Sequence, residues 1–265
     1  MNTLPLQHHH DVHAQLLNYQ GYTTIPDAIP ADLLEAINRR FDELLETIVD
    51  TGGAHHHQSV GSLYLKRLFE KDPVFCELMD LPAVFPIVEK AVGVELRLAQ
   101  GGLGHVLAAH SPAHVGWHRD GDEPVIRCTY YLRDTTTQMG PFTLVPATHH
   151  APEGPPRWYN DAPAGEELAQ GINAAPREIP GMVRIAGKAG SCLLNNTRIW
   201  HTNTPNVADQ PRYVIWVLYR AATTEFKRDW GGEYDFDETF ALSQSNPIRH
   251  RLCGGVNMNA SGEKP

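Results

Sequence analysis

The segment HVGWHRDGDEP at residues 114–124 places a histidine and an aspartate two positions apart, at His118 and Asp120. In a β-strand, residues i and i+2 project to the same face, so both side chains can reach one metal ion while Arg119 points away. The H-x-D triplet alone is a weak signal, because a second copy at His9–Asp11 lies in a polar segment without a strand pattern. A metal site at the first triplet therefore depends on a third ligand elsewhere in the chain.

The segment LLNNTRIWHTNTP offers that third ligand, because His201 stands at the end of an apolar, strand-like run. Two histidines and one carboxylate form the facial triad that holds Fe(II) and leaves coordination positions open. We predict that His118, Asp120 and His201 are the metal ligands and the catalytic centre. The run His55–His57 is a weaker candidate, since adjacent residues on a Gly/Ser-rich loop point in different directions. Contact with substrate is the better interpretation of that run.

Arg212 is the third chemical feature, and it opens the strand-like segment RYVIWVLY eleven residues after His201. On a period of two it shares a face with the apolar residues Val214, Trp216 and Leu218. An arginine on an apolar face needs an anionic partner, because an unpaired buried charge is costly. Its planar guanidinium suits a carboxylate. We therefore predict that Arg212 binds the carboxylate of a ligand, with a structural ion pair as the alternative.

The elements that must position these residues begin with a mainly helical stretch, residues 1–93. Apolar residues in PADLLEAINRRFDELLETIVD recur at helical spacing with charges between them. Pro30 and Asp32 predict the start of this helix, and Gly52-Gly53 predicts its end. A second helical segment, LPAVFPIVEKAVG, ends at Gly93.

Residues 94–220 change to short segments rich in Val, Ile, Leu, Thr and Tyr, which predict strands at VELRLAQ, VIRCTYYL, PFTLVPA, GSCLLNN and RYVIWVLY. The proline- and glycine-rich stretch 150–180 predicts a long insertion near the site, and residues 221–265 predict a tail or lid. We expect one domain over 1–265, mainly β with α additions. Its core is predicted to be a sandwich or jelly roll, with the N-terminal helices packed on one outer face.

Composition excludes several classes of function. The chain has 22 Lys+Arg against 31 Asp+Glu, a net charge of −9, which disfavours a nucleic-acid partner. It has no apolar run long enough to predict a membrane span. The N-terminus has neither the basic nor the apolar region of a signal peptide, so we expect a cytoplasmic protein. The four cysteines lie too far apart in the sequence to predict a structural zinc site. The sequence does not indicate the oligomeric state.

The motifs WHRD, MGPFTLVPATHH and WHTNTPNVADQPRYVIWVLY resemble, in order and separation, the phytanoyl-CoA dioxygenase-like (PhyH) family of Fe(II)/2-oxoglutarate-dependent oxygenases. The resemblance covers roughly residues 10–220. The middle motif is similar to the family hairpin N-G-P-L-x-V-x-P-G-S-H, with Met139 in place of Asn and Ala147-Thr148 in place of Gly-Ser. The resemblance implies a double-stranded β-helix (jelly roll), Fe(II) on the predicted triad, and 2-oxoglutarate and O₂ as cosubstrates.

The resemblance also implies which residues contact 2-oxoglutarate. The cosubstrate would chelate the metal through its 1-carboxylate and 2-oxo groups and place its distal carboxylate on Arg212. Thr129, eleven positions before the hairpin residue Gly140, and Asn203, two positions after the distal histidine, match positions where relatives contact the cosubstrate. Gln100 on the first core strand faces either cosubstrate or substrate. A strand threonine and a turn asparagine remain the plain alternatives.

The reaction implied by the resemblance is oxidation of a C–H bond in a small organic molecule. Halogenating relatives have Gly or Ala at the position of Asp120, so its carboxylate favours oxygen chemistry. The acidic chain disfavours an acyl-CoA and favours a polar or cationic metabolite, as in a tailoring step of secondary metabolism such as antibiotic biosynthesis. Hydroxylation, desaturation, epimerisation and ring closure all stay open. The alternatives are a cupin-like isomerase or dioxygenase that does not use 2-oxoglutarate, and a non-catalytic binding protein.

Overall fold

The computed structural model describes residues 6–51, 61–112, 115–121, 123–160, 177–223 and 238–254. The predicted substrate-contacting run His55–His57, the middle of the predicted insertion and most of the predicted tail lie outside these residues. Within the described ranges, none of the helices has both the length and the apolar character needed to cross a bilayer.

The helices pack mainly at the N-terminal end of the chain and have the bounds α1 Leu6–Gln20, α2 Ala31–Thr51, α3 Leu68–Lys71, α4 Pro73–Cys76, α5 Phe85–Val92, α6 Glu238–Ser243 and α7 Pro247–Leu252. Helix α2 follows Pro30, and its apolar spacing buries Ile37 and Phe41 against the core, as its sequence predicts. Helix α5 ends at Gly93, whose φ of 72° is a left-handed conformation that glycine adopts at little cost.

The strands have the bounds β1 Tyr22–Ile25, β2 Ser62–Lys66, β3 Leu96–Leu98, β4 Leu103–Leu107, β5 Val115–His118, β6 Val125–Tyr131, β7 Phe142–Leu144, β8 Val183–Ile185, β9 Cys192–Asn196, β10 His201–Asn203 and β11 Arg212–Ala221. In the described part of the chain they form two antiparallel sheets. The larger has the order β1-β9-β6-β11-β4-β2, with β3 also paired to β11. The smaller has the order β5-β10-β7-β8.

The two faces of the larger sheet pack against different parts of the protein. Alternate residues of β11, including Ile215, Val217 and Tyr219, join the apolar cluster that contains the helices. On the same side, the hydroxyls of Tyr130 and Tyr219 donate to main-chain carbonyls of the segment after α4. The opposite face meets the smaller sheet across a second, smaller apolar cluster. The helices thus bury one face completely and leave the other for the space between the sheets.

The predicted fold class, mainly β with N-terminal helices on one outer face, is confirmed. Strand pairing among the described residues does not close the two sheets into a barrel. The division into one domain stays a prediction. All four cysteines are free and buried.

Residues 1–93 are predicted to be mainly helical, and they also contain two strands that the sequence did not predict. Strand β1 pairs with β9 and strand β2 pairs with β4, so both extend the larger sheet at its two edges. These strands of four and five residues lie between helical segments, outside the part of the chain whose composition indicated strands. Strand β4 was also missed, because its sequence LGHVL carries Gly104, which lets the Phe41 ring pack against the strand.

Candidate functional site

The predicted metal ligands come together where two strands of the smaller sheet lie side by side. His118 is the last residue of β5, His201 is the first residue of β10, and the two are direct cross-strand partners. Their ring centroids are 4.2 Å apart. Asp120 lies two residues beyond β5, where its N–H donates to the carbonyl of Thr197 at 3.0 Å. Ligand atoms of the three side chains all lie within 4.8 Å of one another.

The position of His201 differs from the prediction that it ends a strand. Strand β9 ends at Asn196, and the turn that follows carries the chain from the larger sheet to the smaller one. His201 therefore begins the next strand, at the edge of the space between the sheets. It is almost completely buried, with 1% of its surface exposed.

Hydrogen bonds to the main chain fix which nitrogen of each histidine is available. The Nδ1 atom of His118 lies 2.7 Å from the carbonyl of Gly116, and Nδ1 of His201 lies 2.7 Å from the carbonyl of Ile199. A carbonyl only accepts, so each Nδ1 carries the proton and each Nε2 presents a lone pair. The two Nε2 atoms lie 3.2 and 3.5 Å from carboxylate oxygens of Asp120. The three donor groups thus converge as a divalent metal requires.

The charge states of this group also suit a metal. Burial alone would raise the pKa of Asp120, but His201 and the Arg127 guanidinium outweigh it and hold this pKa well below its usual value. Burial lowers the pKa of His201 despite the nearby carboxylate. An ionised carboxylate and a neutral imidazole are the forms that bind a metal ion.

The second H-x-D triplet has no comparable geometry. His9 and Asp11 lie on helix α1, where side chains two positions apart diverge. Asp11 pairs with Lys90 at 2.6 Å, and His9 faces His13 with 3.2 Å between their Nε2 atoms. Among the described residues, the triad of the smaller sheet is the one group of three such side chains that can hold a metal ion.

Arg212 lies on the larger sheet with its charge unbalanced. It is the first residue of β11 and is buried, with 4% of its surface exposed. One terminal nitrogen donates to the carbonyl of Gly140, the other lies 3.3 Å from Nδ1 of His105, and its Nε has no partner among the described residues. No carboxylate pairs with Arg212 in the described ranges, so the structural ion pair considered from the sequence is not found there.

His105, which its sequence context did not mark as functional, completes the surroundings of Arg212. It stacks on Tyr64 with ring centroids 4.5 Å apart and an interplanar angle of 6°. Its Nε2 lies 3.3 Å from the hydroxyl of Ser62. Burial, and secondarily the charge of Arg212, hold the pKa of His105 well below its usual value. A neutral His105 accepts from Arg212 through Nδ1 and donates to Ser62 through Nε2.

The three predicted cosubstrate contacts occupy different places. Thr129 is buried on β6, opposite Trp216 and on the face toward the smaller sheet. Asn203 is the last residue of β10 and shares a strand face with His201. Gln100 is buried between β3 and β4, where its Nε2 has no hydrogen-bond partner in the part of the chain that the structure describes. All three assignments stay predictions.

Arg127 is a second functional candidate, one that was missed from the sequence. It lies on β6 with 7% of its surface exposed. Its guanidinium donates to Oδ2 of Asp120 at 3.0 Å and lies 3.3 Å from Nε2 of His201. The rings of Phe142 and Trp216 lie 4.8 and 5.5 Å from its central carbon. A charged residue inside the apolar run VIRCTYYL was a visible signal, of the same kind that identified Arg212.

The described edges of the predicted insertion are tied to the strand that carries His118. The side chain of Asn160 accepts from the N–H of Trp117 at 2.6 Å and donates to its carbonyl at 2.9 Å. The indole of Trp117 donates to the carbonyl of Arg177 at 2.7 Å. Trp158, just before this anchor, stacks on Tyr159 and is 52% exposed. The described ends of the insertion therefore contact β5 next to the candidate metal ligand His118.

Comparison with known protein families and curated sequences places these features in context. The family described as "Phytanoyl-CoA dioxygenase (PhyH)" matches residues 17–214. A curated relative, L-proline trans-4-hydroxylase of Streptomyces griseoviridis, is 25% identical over 179 residues, which cover 57% of this chain and 65% of the relative. The chain thus aligns with slightly less than two thirds of that protein.

Solved structures share the fold at low sequence identity. The epimerase SnoN, in complex with Fe³⁺, α-ketoglutarate and nogalamycin RO, has a TM-score of 0.63 and 17% identity, covering 88% of this chain and 91% of its own. HygX from Streptomyces hygroscopicus, with nickel, 2-oxoglutarate and hygromycin B bound, has a TM-score of 0.63 and 16% identity, covering 82% and 89%. The carbocyclase SnoK from nogalamycin biosynthesis has a TM-score of 0.62 and 17% identity, covering 84% and 88%.

Proposed function

Because the chain belongs to the phytanoyl-CoA dioxygenase (PhyH) family, we propose that it is a non-haem Fe(II)- and 2-oxoglutarate-dependent oxygenase that oxidises a small polar organic metabolite. The observation that carries the proposal is the convergence of His118, Asp120 and His201 between the two sheets. A two-histidine, one-carboxylate set is the ligand set of Fe(II) enzymes that use O₂.

Arg212 distinguishes this proposal from a cupin-like enzyme that does not use 2-oxoglutarate. Its buried guanidinium has an Nε without a partner and no carboxylate in contact within the described residues. A buried arginine of this kind is stabilised by a bidentate carboxylate, which the distal end of 2-oxoglutarate supplies. A cupin-like enzyme gives Arg212 no partner.

Each group of the site has a separate task in this proposal. His118, Asp120 and His201 hold Fe(II), and their main-chain hydrogen bonds orient the two imidazoles before the metal binds. Arg212 binds the distal carboxylate of 2-oxoglutarate. Thr129 on the larger sheet and Asn203 on the smaller sheet contact the cosubstrate between Arg212 and the metal. Bound Fe(II) and 2-oxoglutarate supply the activation of O₂ and the oxidation of a C–H bond. The aromatic side chains around Arg127 exclude water from the same space.

The net charge of the chain and the compounds named for its relatives support a class of substrate. The chain carries a net charge of −9, which opposes the phosphates of an acyl-CoA and favours a neutral or cationic ligand. Relatives are named for proline, for nogalamycin biosynthesis and for a complex with hygromycin B. We propose that this chain catalyses a tailoring oxidation in secondary metabolism, such as a step of antibiotic biosynthesis. Its substrate would be an amino acid, an amino sugar or a polycyclic scaffold.

The proposal is tested by measuring succinate formed from 2-oxoglutarate under air with Fe(II) and ascorbate. Candidate substrates are free amino acids, aminoglycosides, glycosylated polycyclic compounds and acyl-CoAs. We expect one of the first three classes to raise succinate formation above the substrate-free rate, and the His201→Ala variant to abolish it. Stimulation by an acyl-CoA alone would overturn the substrate class.

A further inference from the structure

The face of the larger sheet that looks toward the triad carries two buried guanidinium groups. The register of β6 and β11 places Arg127 opposite Leu218 and Thr129 opposite Trp216. Arg212 lies further along the same face of β11, on the other side of Trp216. Burial lowers the pKa of Arg212, and the charge of Arg127 contributes further to this lowering.

The charges of this space do not balance without an added anion. Asp120 is the one carboxylate paired with either guanidinium among the described residues. A divalent metal on the triad adds two further positive charges to a space from which burial excludes most water. Uncompensated buried charge is strongly unfavourable, so a ligand with two negative charges is the natural complement.

Metal binding also changes what Arg127 contacts. One of its terminal nitrogens lies 3.3 Å from Nε2 of His201, and that lone pair is the one a metal takes. The other terminal nitrogen keeps its bond to Oδ2 of Asp120. A buried N–H is thereby released beside the metal, between the rings of Phe142 and Trp216. It needs a new acceptor, because a buried donor without one is costly.

We propose that Arg127 is a second carboxylate-binding residue, which holds the 1-carboxylate of 2-oxoglutarate at the metal while Arg212 holds the 5-carboxylate. This inference rests on the proposed function and deepens it. It gives the dicarboxylate one guanidinium at each end, with Thr129 and Trp216 between them.

Two ligands separate the two ends of this arrangement. 2-Oxoglutarate has both carboxylates, whereas 2-oxobutyrate has only the 1-carboxylate and the 2-oxo group. Binding of each to the Mn(II)-loaded protein is measured by the change in water proton relaxation, which detects displacement of metal-bound water without turnover. We expect Arg127→Gln to weaken both ligands by about 10- to 100-fold, as loss of a charged hydrogen bond does. Arg212→Gln should weaken 2-oxoglutarate by a similar factor and leave 2-oxobutyrate unchanged.

Two further variants control for charge and for folding. Arg133→Gln removes an arginine that pairs with Asp42, away from the triad, and should bind both ligands as the wild type does. Arg127→Lys keeps the charge but lacks the planar fork, so we expect a smaller loss for both ligands than Arg127→Gln shows. Mn(II) affinity is measured separately for each variant, and circular dichroism reports folding.

The outcomes distinguish the inference from the proposed function. If Arg127→Gln loses only Mn(II) affinity and binds both ligands normally at saturating Mn(II), Arg127 only positions Asp120 and the inference is wrong. If Arg127→Gln does not fold, unchanged ligand binding by Arg127→Lys overturns the inference and weakened binding supports it. If the wild type with bound Mn(II) takes up neither ligand, the proposed function itself fails.

Discussion

At the scale of single residues, the site depends on one buried carboxylate that serves several cations. Asp120 accepts from Arg127 and faces both histidines of the triad, and only 17% of its side chain is exposed. Removing its charge leaves the guanidinium of Arg127 buried without a counterion from the described residues. We therefore expect the carboxylate to stabilise the metal-free protein, in addition to its proposed role in metal binding.

Replacement of Asp120 by Asn measures that contribution. We expect the free energy of unfolding in urea, with a chelator present at neutral pH, to fall by about 1–3 kcal/mol because a charged hydrogen-bond partner is lost. Asp209→Asn is the control, since that carboxylate is 91% exposed and pairs with the exposed His110. An unchanged unfolding free energy for Asp120→Asn would show that the pair with Arg127 contributes nothing.

His105 predicts a pH dependence of stability. Its pKa in the folded protein lies well below 6.5, the value of an exposed histidine, because the ring is buried and faces Arg212. Below pH 6.5 the unfolded chain therefore takes up a proton that the folded protein does not. Stability should fall as the pH drops, by up to about 1.4 kcal/mol per pH unit for this residue.

The contribution of His105 is isolated by unfolding in urea at several pH values. His105→Gln should reduce the slope of unfolding free energy against pH between 6.5 and 5, whatever its effect on stability at neutral pH. His110→Gln, at an exposed histidine, controls for the loss of one imidazole. Equal slopes for wild type and His105→Gln would contradict the assignment of a buried neutral ring.

At the scale of elements, the approach to β7 supports Arg212 through Gly140. This residue has a φ of 64°, and its carbonyl accepts from Arg212. A Cβ at this position would collide with the side chain of Leu107 and lie 2.8 Å from the carbonyl of Thr204. The glycine that marks the family hairpin is thus required by backbone conformation and by close packing together.

Gly140→Ala tests this support. The left-handed conformation alone costs an alanine roughly 1–2 kcal/mol, and the collisions should add to it and displace the carbonyl that Arg212 uses. We expect lower thermal stability and weaker 2-oxoglutarate binding. Gly181→Ala is the matched control, because Gly181 has a φ of 81° and a Cβ added there would have no described atom within 4 Å. Equal effects of the two substitutions would contradict a packing role for Gly140.

The strands could be predicted where their patterns were long or flanked by turns, as for β6, β9 and β11. Strands β1 and β2 could not, because they lie between helical segments, and β4 could not because a glycine interrupts its apolar residues. The turn that makes His201 the first residue of β10 was also missed, although the polar residues 195–198 interrupt the apolar residues of LLNNTRIW. The local pattern of apolar and polar residues does not predict where the chain passes from one sheet to the other.

The candidate site also contains some residues that the sequence predicts and others that it does not. His118, Asp120, His201 and Arg212 could be proposed because spacing and family motifs mark them. The resemblance to the PhyH family is confirmed by the match over residues 17–214. The charge of Arg127 inside an apolar run was a visible signal, but its partner Asp120, in the segment after β5, could not be identified from the sequence. Such contacts depend on tertiary structure.

At the scale of the whole molecule, the apolar core and the candidate site lie on opposite faces of the larger sheet. The helices cover one face of the larger sheet and enclose most of the apolar core. The other face meets the smaller sheet, and the triad, Arg127 and Arg212 all lie in that space. Substitutions on the helix side should therefore affect folding, whereas those between the sheets should affect binding of metal and ligand.

We propose that the space between the sheets binds Fe(II) and 2-oxoglutarate together. The direct test is anaerobic addition of 2-oxoglutarate to the Fe(II)-loaded protein, followed by visible absorption. We expect a weak metal-to-ligand charge-transfer band that saturates at one equivalent of Fe(II), is absent in His201→Ala, and needs more 2-oxoglutarate in Arg212→Gln. Protein that binds Fe(II) but develops no such band at any 2-oxoglutarate concentration would contradict the claim and favour a cupin-like enzyme.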